Sequence, residues 1–179
     1  MFQRVKNWFL LQLSAHDRAW FSRLALSRET RPPHLRVWLI VTHLGGATAT
    51  IVAVLVPLAV GRGALRHGAV IAAWSLLLSH LVVQLVKRRA VRERPVAYEG
   101  PPLARVPDRF SFPSGHACAA MAVAFSYGMA LPMHSWPLIL LAAFIGMSRV
   151  RLGVHYPGDV FAGQAIAALT VLGVWAVMR

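Results

Sequence analysis

Two residues near the C-terminal end, His155 and Asp159, have the types and spacing of a nucleophile and the carboxylate that orients it. They lie four positions apart, with Pro157 between them at the expected first turn of a helix. A carboxylate bound to one imidazole nitrogen fixes the tautomer and leaves the other nitrogen free to attack phosphorus. Taken separately, Asp159 could be only a helix cap and His155 only an interfacial residue, so the hypothesis depends on their neighbours.

Three cations that suit a phosphate group accompany this pair: Lys87, Arg94 and Arg149. Lys87 and Arg94 are seven positions apart, about two helical turns, and would share one face if the helix continues. Pro95 restricts the backbone of Arg94, and Arg149 offers a planar fork to two phosphate oxygens at once. The other cations of this stretch are interpreted as interfacial anchors that reach toward lipid headgroups: Arg88, Arg89 and Arg92.

The tetrapeptide Pro113-Ser114-Gly115-His116 directly precedes an apolar stretch. Ser114 is therefore an expected N-cap, and the free N–H groups at such a helix start attract anions. Gly115 lets the backbone approach a ligand closely, while His116 in the first turn could donate a proton to a departing oxygen. A lone cap and a structural histidine remain the simpler alternative for these residues considered alone.

The composition predicts that these residues belong to a membrane protein. Of 179 residues, 57% are hydrophobic, and the mean hydropathy is +0.55. The apolar residues gather into stretches near the roughly 17 to 25 that cross a bilayer as helix. We predict an all-α, polytopic membrane helical bundle of about five transmembrane helices. The predicted spans cover residues 37–60, 69–86, 116–131, 137–148 and 159–177.

The N-terminal residues have a different pattern. Over residues 1–27, apolar side chains recur at helical spacing, but charges interrupt them too often for a span. We predict an amphipathic interfacial helix and linker over 1–34, followed by the transmembrane domain over 35–179. The single cysteine, Cys118, is interpreted as a small packing residue.

Five spans would bring two polar connections, 87–112 and 148–159, to the same membrane face, where they could form one pocket. That face would also carry every Lys and Arg except Arg62, Arg66 and Arg179. The positive-inside rule assigns the face with this excess of cations to the cytoplasm. Several of these cations are candidate substrate ligands, however, so the bias does not fix the side. We predict a multi-pass protein of the cell (inner) membrane, with the side of the pocket left open.

Three ordered motifs combine these residues: Lys87 followed after six residues by Arg94-Pro95, then Pro113-Ser114-Gly115-His116, then Ser148-Arg149 followed after five residues by His155 and after three more by Asp159. In these motifs the chain resembles the type 2 phosphatidic acid phosphatases, or PAP2 family. The membrane members of that family share an active-site pattern with soluble vanadium haloperoxidases and bacterial acid phosphatases. The segment Thr42-His43-Leu44-Gly45 also looks like the usual opening of the family.

The resemblance implies a role for each residue. His155 would be the nucleophile that forms a phosphohistidine, Asp159 its orienting partner and His116 the acid for the leaving group. The implied phosphate ligands are Lys87, Arg94, Ser114, Gly115 and Arg149. No metal or other cofactor is implied, because fixed cations would do what magnesium does elsewhere. Arg151 departs from the family pattern and is interpreted either as a determinant of headgroup choice or as a surface anchor.

The expected partners are a lipid phosphate substrate and the bilayer. The net charge of +13 does not indicate nucleic acid, because the basic residues lie between apolar spans and no recognition module is present. A haloperoxidase would need a soluble chain. A non-catalytic lipid-phosphate binding or transport protein is the alternative, although it has no need for two histidines and an aspartate. The sequence does not choose among phosphatidylglycerol phosphate, phosphatidate and polyprenyl phosphates or diphosphates, and the oligomeric state stays open.

Overall fold

The computed structural model describes residues 15–27, 29–95, 103–104, 106 and 108–178. Across those residues the chain is helical apart from connections, and the strand-like pairing is a single bridge between Glu93 and Phe110. The predicted all-α class is therefore confirmed. The helices are α1 (15–24), α2 (Pro32–Leu44), α3 (Ala47–Val60), α4 (Gly63–Ala90), α5 (Gly115–Ala130), α6 (Ser135–Arg151) and α7 (Pro157–Met178), with a 3-10 turn at Pro132–His134.

Helix α5 lies at the centre of the bundle and packs against α4, α6 and α7. Small side chains on several of its faces, among them Ala117, Ala122 and Ala124, are buried. Such residues let helix backbones approach closely, which is how helices associate in a membrane. Cys118 is buried against Val83 beside them, in agreement with its predicted packing role.

The outer helices expose large apolar side chains, in the manner of a protein surrounded by lipid. Four examples, each more than half exposed, are Leu55, Leu81, Phe144 and Leu169. Three helical segments are long and apolar enough to cross a membrane: Gly63–Ala90, Pro132–Arg151 and Pro157–Met178. The chain is therefore a polytopic membrane helical bundle.

The predicted count of five spans is not confirmed: among the described residues three helical segments qualify by length and composition, or four if the bent pair is counted as one span. The central helix Gly115–Ala130 has 16 residues and is shorter than the other spans. The first predicted span, 37–60, is broken into α2 and α3, which meet at an angle of 48°; counted together they would make a fourth span. A Cβ on Gly45 would overlap Ile145 Cγ2, so glycine at this position permits the close approach of α2 to α6 at the break.

The described part of the N-terminal segment packs against the polar end of the bundle. Residues 1–14 lie outside the described residues. In α1, Phe21 is buried against Ala117, Val150 and Val160, and Asp17 is also buried. The interfacial position predicted for residues 1–34 remains a prediction.

The predicted convergence of the two polar connections is confirmed. Helix α4 ends and α5 begins at the same end of the bundle as the end of α6 and the start of α7. The backbone there is joined directly, because Ser114 N donates to Asp159 O at 2.9 Å and Leu103 N donates to Leu152 O at 3.1 Å. The fold therefore gathers four helix ends around one polar site.

Candidate active site

His155 occupies the turn between α6 and α7 and is only 2% exposed. Its Nε2 lies 3.1 Å from Arg94 Nη1, and its Nδ1 lies 3.6 Å from Asp159 Oδ2. A guanidinium can only donate, so Nε2 must accept, and a neutral ring then carries its proton on Nδ1. This tautomer directs the Nε2 lone pair toward the cations and the Nδ1–H toward Asp159, as a nucleophilic histidine requires.

Asp159 is fully buried in the first turn of α7, which begins at Pro157 as the sequence predicts. Its Oδ2 accepts a hydrogen bond from Tyr156 N at 2.8 Å, and its Oδ1 accepts one from Arg92 Nη1 at 2.7 Å. The 3.6 Å separation from His155 Nδ1 is longer than an ordinary hydrogen bond. The carboxylate is therefore fixed by its own two partners and needs only a small movement to bind the imidazole.

The surroundings of His155 keep its imidazole neutral. Burial disfavours the charged ring, and although Asp159 opposes this, Arg149 and Arg94 reinforce it, so that the pKa of His155 falls to about 4. At neutral pH Nε2 therefore carries no proton, and a substrate has only to displace the 3.1 Å contact with Arg94 before the lone pair can attack.

Lys87 and Arg94 converge, but not by sharing a helical face. Helix α4 ends at Ala90, and Val91 adopts a left-handed conformation with φ 48°, so the helix does not continue to Arg94 and the condition for a shared face is not met. The two side chains meet on Asp108: Lys87 Nζ donates to Oδ2 at 2.7 Å and Arg94 Nη2 donates to Oδ1 at 2.9 Å. A carboxylate thus binds the cations predicted to bind phosphate.

Asp108 remains ionised in this position. Partial burial acts to raise its pKa, but the hydrogen bonds and charges of Lys87 and Arg94 outweigh it and hold the pKa below its ordinary value. A phosphate that enters must share these cations with the carboxylate or displace it.

The substitution Asp108→Asn should make inorganic phosphate bind more tightly. The change removes the competing negative charge and retains an oxygen that can accept from Lys87. Because such a half-exposed ion pair is worth up to about 1 kcal/mol, we expect the Kd for phosphate to fall roughly threefold to fivefold. Isothermal titration in detergent measures it.

Glu93→Gln is the matched control, because this residue of the same region pairs with Arg109 at 3.0 Å where both side chains are more than 70% exposed. It should leave the Kd unchanged. Weaker phosphate binding by Asp108→Asn would mean that the carboxylate organises the cations instead of competing for them.

The start of α5 consists of Ser114, Gly115 and His116. It lies beside the turn between α6 and α7 that carries His155. Ser114 is the N-cap, as predicted, with its hydroxyl accepting from Ala117 N at 3.5 Å. A Cβ on Gly115 would meet no heavy atom of the described residues within 4 Å, so its backbone borders open space. His116 lies near enough to Arg149, Arg94 and the imidazoles of His155 and His43 to interact with them electrostatically.

Arg149 is 2% exposed near the end of α6, and its Nη1 donates to Thr42 Oγ1 at 2.6 Å. Thr42 therefore orients the guanidinium from α2, beside the break at Gly45. The Nε of Arg149 has no hydrogen-bond partner among the described residues. A buried guanidinium with unused donors is suited to binding an anion.

Several contributors were not identified from the sequence. Arg92, interpreted as an interfacial anchor, instead forms ion pairs with Asp159 and Asp17, so that interpretation was wrong. Asp108 and Asp17 carried no motif signal, whereas Thr42 lay in the noted segment before Gly45 without an assigned role. Arg151 donates to Leu24 O at 3.1 Å and lies over the Trp38 ring, contacts that favour the anchoring alternative.

Comparison with known sequences relates this site to a family of phosphatases. Residues 68–179 match the family model described as the PAP2 superfamily. The chain is 36% identical over 140 residues to decaprenylphosphoryl-5-phosphoribose phosphatase of Mycobacterium tuberculosis, covering 75% of this chain and 68% of that protein. It is 33% identical over 101 residues to lipid A 1-phosphatase of Rhizobium johnstonii, covering 53% of this chain and 41% of that protein.

Solved structures show the same architecture. The first transmembrane PAP2 type phosphatidylglycerolphosphate phosphatase from Bacillus subtilis superposes with a TM-score of 0.74 at 25% identity, over 93% of this chain and 86% of that one. LpxE of Aquifex aeolicus superposes with a TM-score of 0.73 at 19% identity, over 88% of this chain and 93% of that one, and shows likeness of fold alone.

Proposed function

This chain belongs to the PAP2 superfamily, and we propose that it releases phosphate from a membrane lipid phosphate ester or diphosphate through attack by His155 Nε2. Membership confirms the resemblance that the three motifs indicated, and the chain is a membrane phosphatase whose relatives are lipid and polyprenyl phosphate phosphatases. The observation that carries the mechanism is the buried neutral imidazole between Arg94 and Asp159.

The reaction proceeds in two displacements. His155 Nε2 forms a bond to phosphorus while the bond to the lipid oxygen breaks, and His116 gives that oxygen a proton, which it takes up when the anionic phosphate offsets the nearby charges of Arg149 and Arg94. The Nδ1–H of the resulting phosphohistidine faces Asp159, which stabilises the positive charge on the ring. Water then attacks phosphorus, gives its proton to His116, and inorganic phosphate leaves as the P–N bond breaks.

The phosphate ligands stabilise the charge that spreads over the equatorial oxygens. Lys87, Arg94 and Arg149 supply fixed cations, while the Ser114 hydroxyl and the Gly115 N–H add two neutral donors. These groups are held by helix ends and buried contacts before substrate arrives, so little reorganisation accompanies the reaction. We propose that they act without a metal ion.

The position of the site favours a lipid as substrate. The site lies at the end of a bundle whose sides expose apolar residues, so a phosphate bound there would belong to a molecule lying in the adjacent leaflet. Relatives include a decaprenylphosphoryl-5-phosphoribose phosphatase and an undecaprenyl-diphosphatase, which extends the substrate class to polyprenyl phosphates. We place the enzyme in the cell (inner) membrane.

The test is phosphate release by the purified protein in detergent with EDTA present. Phosphatidylglycerol phosphate, phosphatidate, undecaprenyl diphosphate and a decaprenyl phosphoryl sugar phosphate are assayed side by side. Release from at least one of them supports the proposal, and the ratios of kcat/KM identify the tail and headgroup preferred. Binding without release from any of them would favour the non-catalytic alternative, and loss of release on adding EDTA would overturn the metal-free mechanism.

The titration of His155 gives a second, substrate-free check. A free histidine titrates near pH 6.5, but burial lowers the pKa of His155 to about 4, so the ring should stay neutral down to roughly pH 5. Imidazole resonances followed by NMR should contain one signal that titrates near pH 4. That signal should disappear in His155→Gln, and a His155 signal titrating at pH 6.5 or above would contradict the assigned neutral nucleophile.

A further inference from the structure

Helix α1 reaches the catalytic turn through one buried carboxylate. Asp17 is 6% exposed, and its Oδ1 accepts a hydrogen bond from Gly158 N at 2.8 Å. Gly158 lies between His155 and Asp159, so the N-terminal helix contacts the backbone of the turn that carries both residues. The contact comes from outside residues 68–179, the part of the chain that matches the family model.

Arg92 links the same carboxylate to the catalytic one. Its Nη2 donates to Asp17 Oδ2 at 2.8 Å, and its Nη1 donates to Asp159 Oδ1 at 2.7 Å. The face of the guanidinium lies 4.3 Å from the centroid of the Tyr156 ring. One guanidinium therefore joins an acid on α1 to an acid on α7, and an aromatic ring holds it in place.

Apolar contacts seat α1 independently of these charges. Phe21 meets Tyr156 edge to face at 5.5 Å between centroids and is buried against α5, α6 and α7. Beyond the helix, Leu26 N donates to Arg151 O at 2.9 Å. Because the helix has this second set of contacts, changes at Asp17 should alter its charge relations without releasing it from the bundle.

We propose that Asp17 and Arg92 are positioning residues of the active site: Asp17 holds Arg92 against Asp159, and Arg92 fixes the carboxylate that aligns His155. The inference rests on the proposed function. Arg92 binds one oxygen of Asp159 and Tyr156 N binds the other, so together they set the plane of the carboxylate. Without Arg92, Oδ1 would be buried and unpaired, and the carboxylate would turn away from Nδ1 to satisfy it.

Kinetics of Asp17→Ala and Arg92→Gln test the proposal. Misalignment of the nucleophile should lower kcat about tenfold to a hundredfold and leave KM within roughly threefold, because neither residue is a ligand of the phosphate. Asp17→Asn keeps an acceptor for Gly158 N and weakens the ion pair with Arg92, so adding Asp17→Asn to Arg92→Gln should lower kcat no further. Independent, multiplicative losses would overturn the linkage.

The pH profile separates positioning from a merely structural role. His155 faces Asp159 from α7, Arg149 from α6, His116 from α5 and Arg94 from the segment after α4. Arg92→Gln removes the positive charge that offsets Asp159, so the surroundings of His155 become more negative and its pKa rises, even though the carboxylate is no longer aligned with Nδ1. The acid limb of kcat/KM should therefore move to higher pH, whereas a variant that only loosens the fold would lower the melting temperature and leave the limb in place.

Arg23→Gln is the matched control, since Arg23 is an exposed cation of α1 whose guanidinium lies 6.0 Å from the centroid of the Trp20 ring. It should match wild type in kcat and in the acid limb. If Asp17→Ala fails to fold, the isosteric Asp17→Asn keeps an acceptor for Gly158 and should still lower kcat. A wild type without phosphatase activity would refute the proposed function, whereas an active wild type with Asp17 variants equal to Arg23→Gln would refute the positioning role alone.

Discussion

Replacing His155 with glutamine should lower kcat/KM for phosphate release by about four orders of magnitude or more, the loss seen when a nucleophile is removed from a catalytic triad. Glutamine is chosen because its amide oxygen can accept from Arg94, as Nε2 does at 3.1 Å, without being able to form a bond to phosphorus. The phosphate ligands are untouched, so lipid binding should persist. Rates measured in detergent, with substrate affinity measured separately, test this expectation.

A covalent intermediate distinguishes this result from a general loss of structure. Wild type mixed rapidly with labelled substrate and quenched in alkali should carry a phosphoryl group that acid removes, and His155→Gln should carry none. His134→Gln is the control, because that exposed histidine lies beyond the opposite end of α5. Retention of more than about a tenth of the activity by His155→Gln would exclude it as the nucleophile.

The candidate site could be proposed from the sequence because its residues stand at helix ends. Asp159, two positions after Pro157, and Ser114 before Gly115 are local signals, since caps and helix starts depend on neighbours in the chain. The path of the chain to Arg94 was less certain. Spacing allowed a face shared with Lys87 only if α4 continued, whereas Pro95 indicated a restricted backbone; the helix ends at Ala90, and a non-helical segment carries Arg94 to the site.

The charged partners of the site could not be found in that way. Asp17 meets Arg92 across 75 positions of sequence, and Asp108 meets Lys87 across 21, so nothing in the local pattern of either acid indicates its partner. The excess of cations at one membrane face indicates only that any acid near them is a candidate ion-pair partner. Which acid binds which cation is decided by packing, as in the seating of Phe21 that brings Asp17 to the catalytic turn.

The break between α2 and α3 was hidden for a different reason. Residues 37–60 read as one continuous apolar stretch, because both helices lie among lipid or apolar neighbours. The pair Gly45-Gly46 was the available signal, and the close approach of Gly45 to Ile145 shows its cause. The break has a functional consequence, since it sets Thr42 beside Arg149.

Replacing His116 with asparagine should lower kcat for a lipid phosphate by about a hundredfold to ten-thousandfold, the usual contribution of a general acid. An alkoxide is a poor leaving group and needs a proton, which we propose that His116 supplies. p-Nitrophenyl phosphate releases a stabilised phenolate, so its first displacement should be slowed less than about tenfold by the same change. The dependence of the loss on the leaving group identifies an acid, because a residue needed only for structure or for phosphate binding would slow both substrates alike.

Steady-state rates would hide this difference, because His116 is also the proposed base for water in the second displacement. In His116→Asn the phosphohistidine should form from p-nitrophenyl phosphate and then persist. Stopped-flow absorbance should therefore show a burst of p-nitrophenolate close to one equivalent per enzyme, followed by slow turnover, whereas His155→Gln should show no burst. His67→Asn, at the start of α4 and edge to face with Trp175, should behave as wild type. If His116→Asn shows no burst, His116 is needed in the first displacement for something other than proton donation. If His116→Asn turns over at the wild-type rate, His116 has no part in the mechanism.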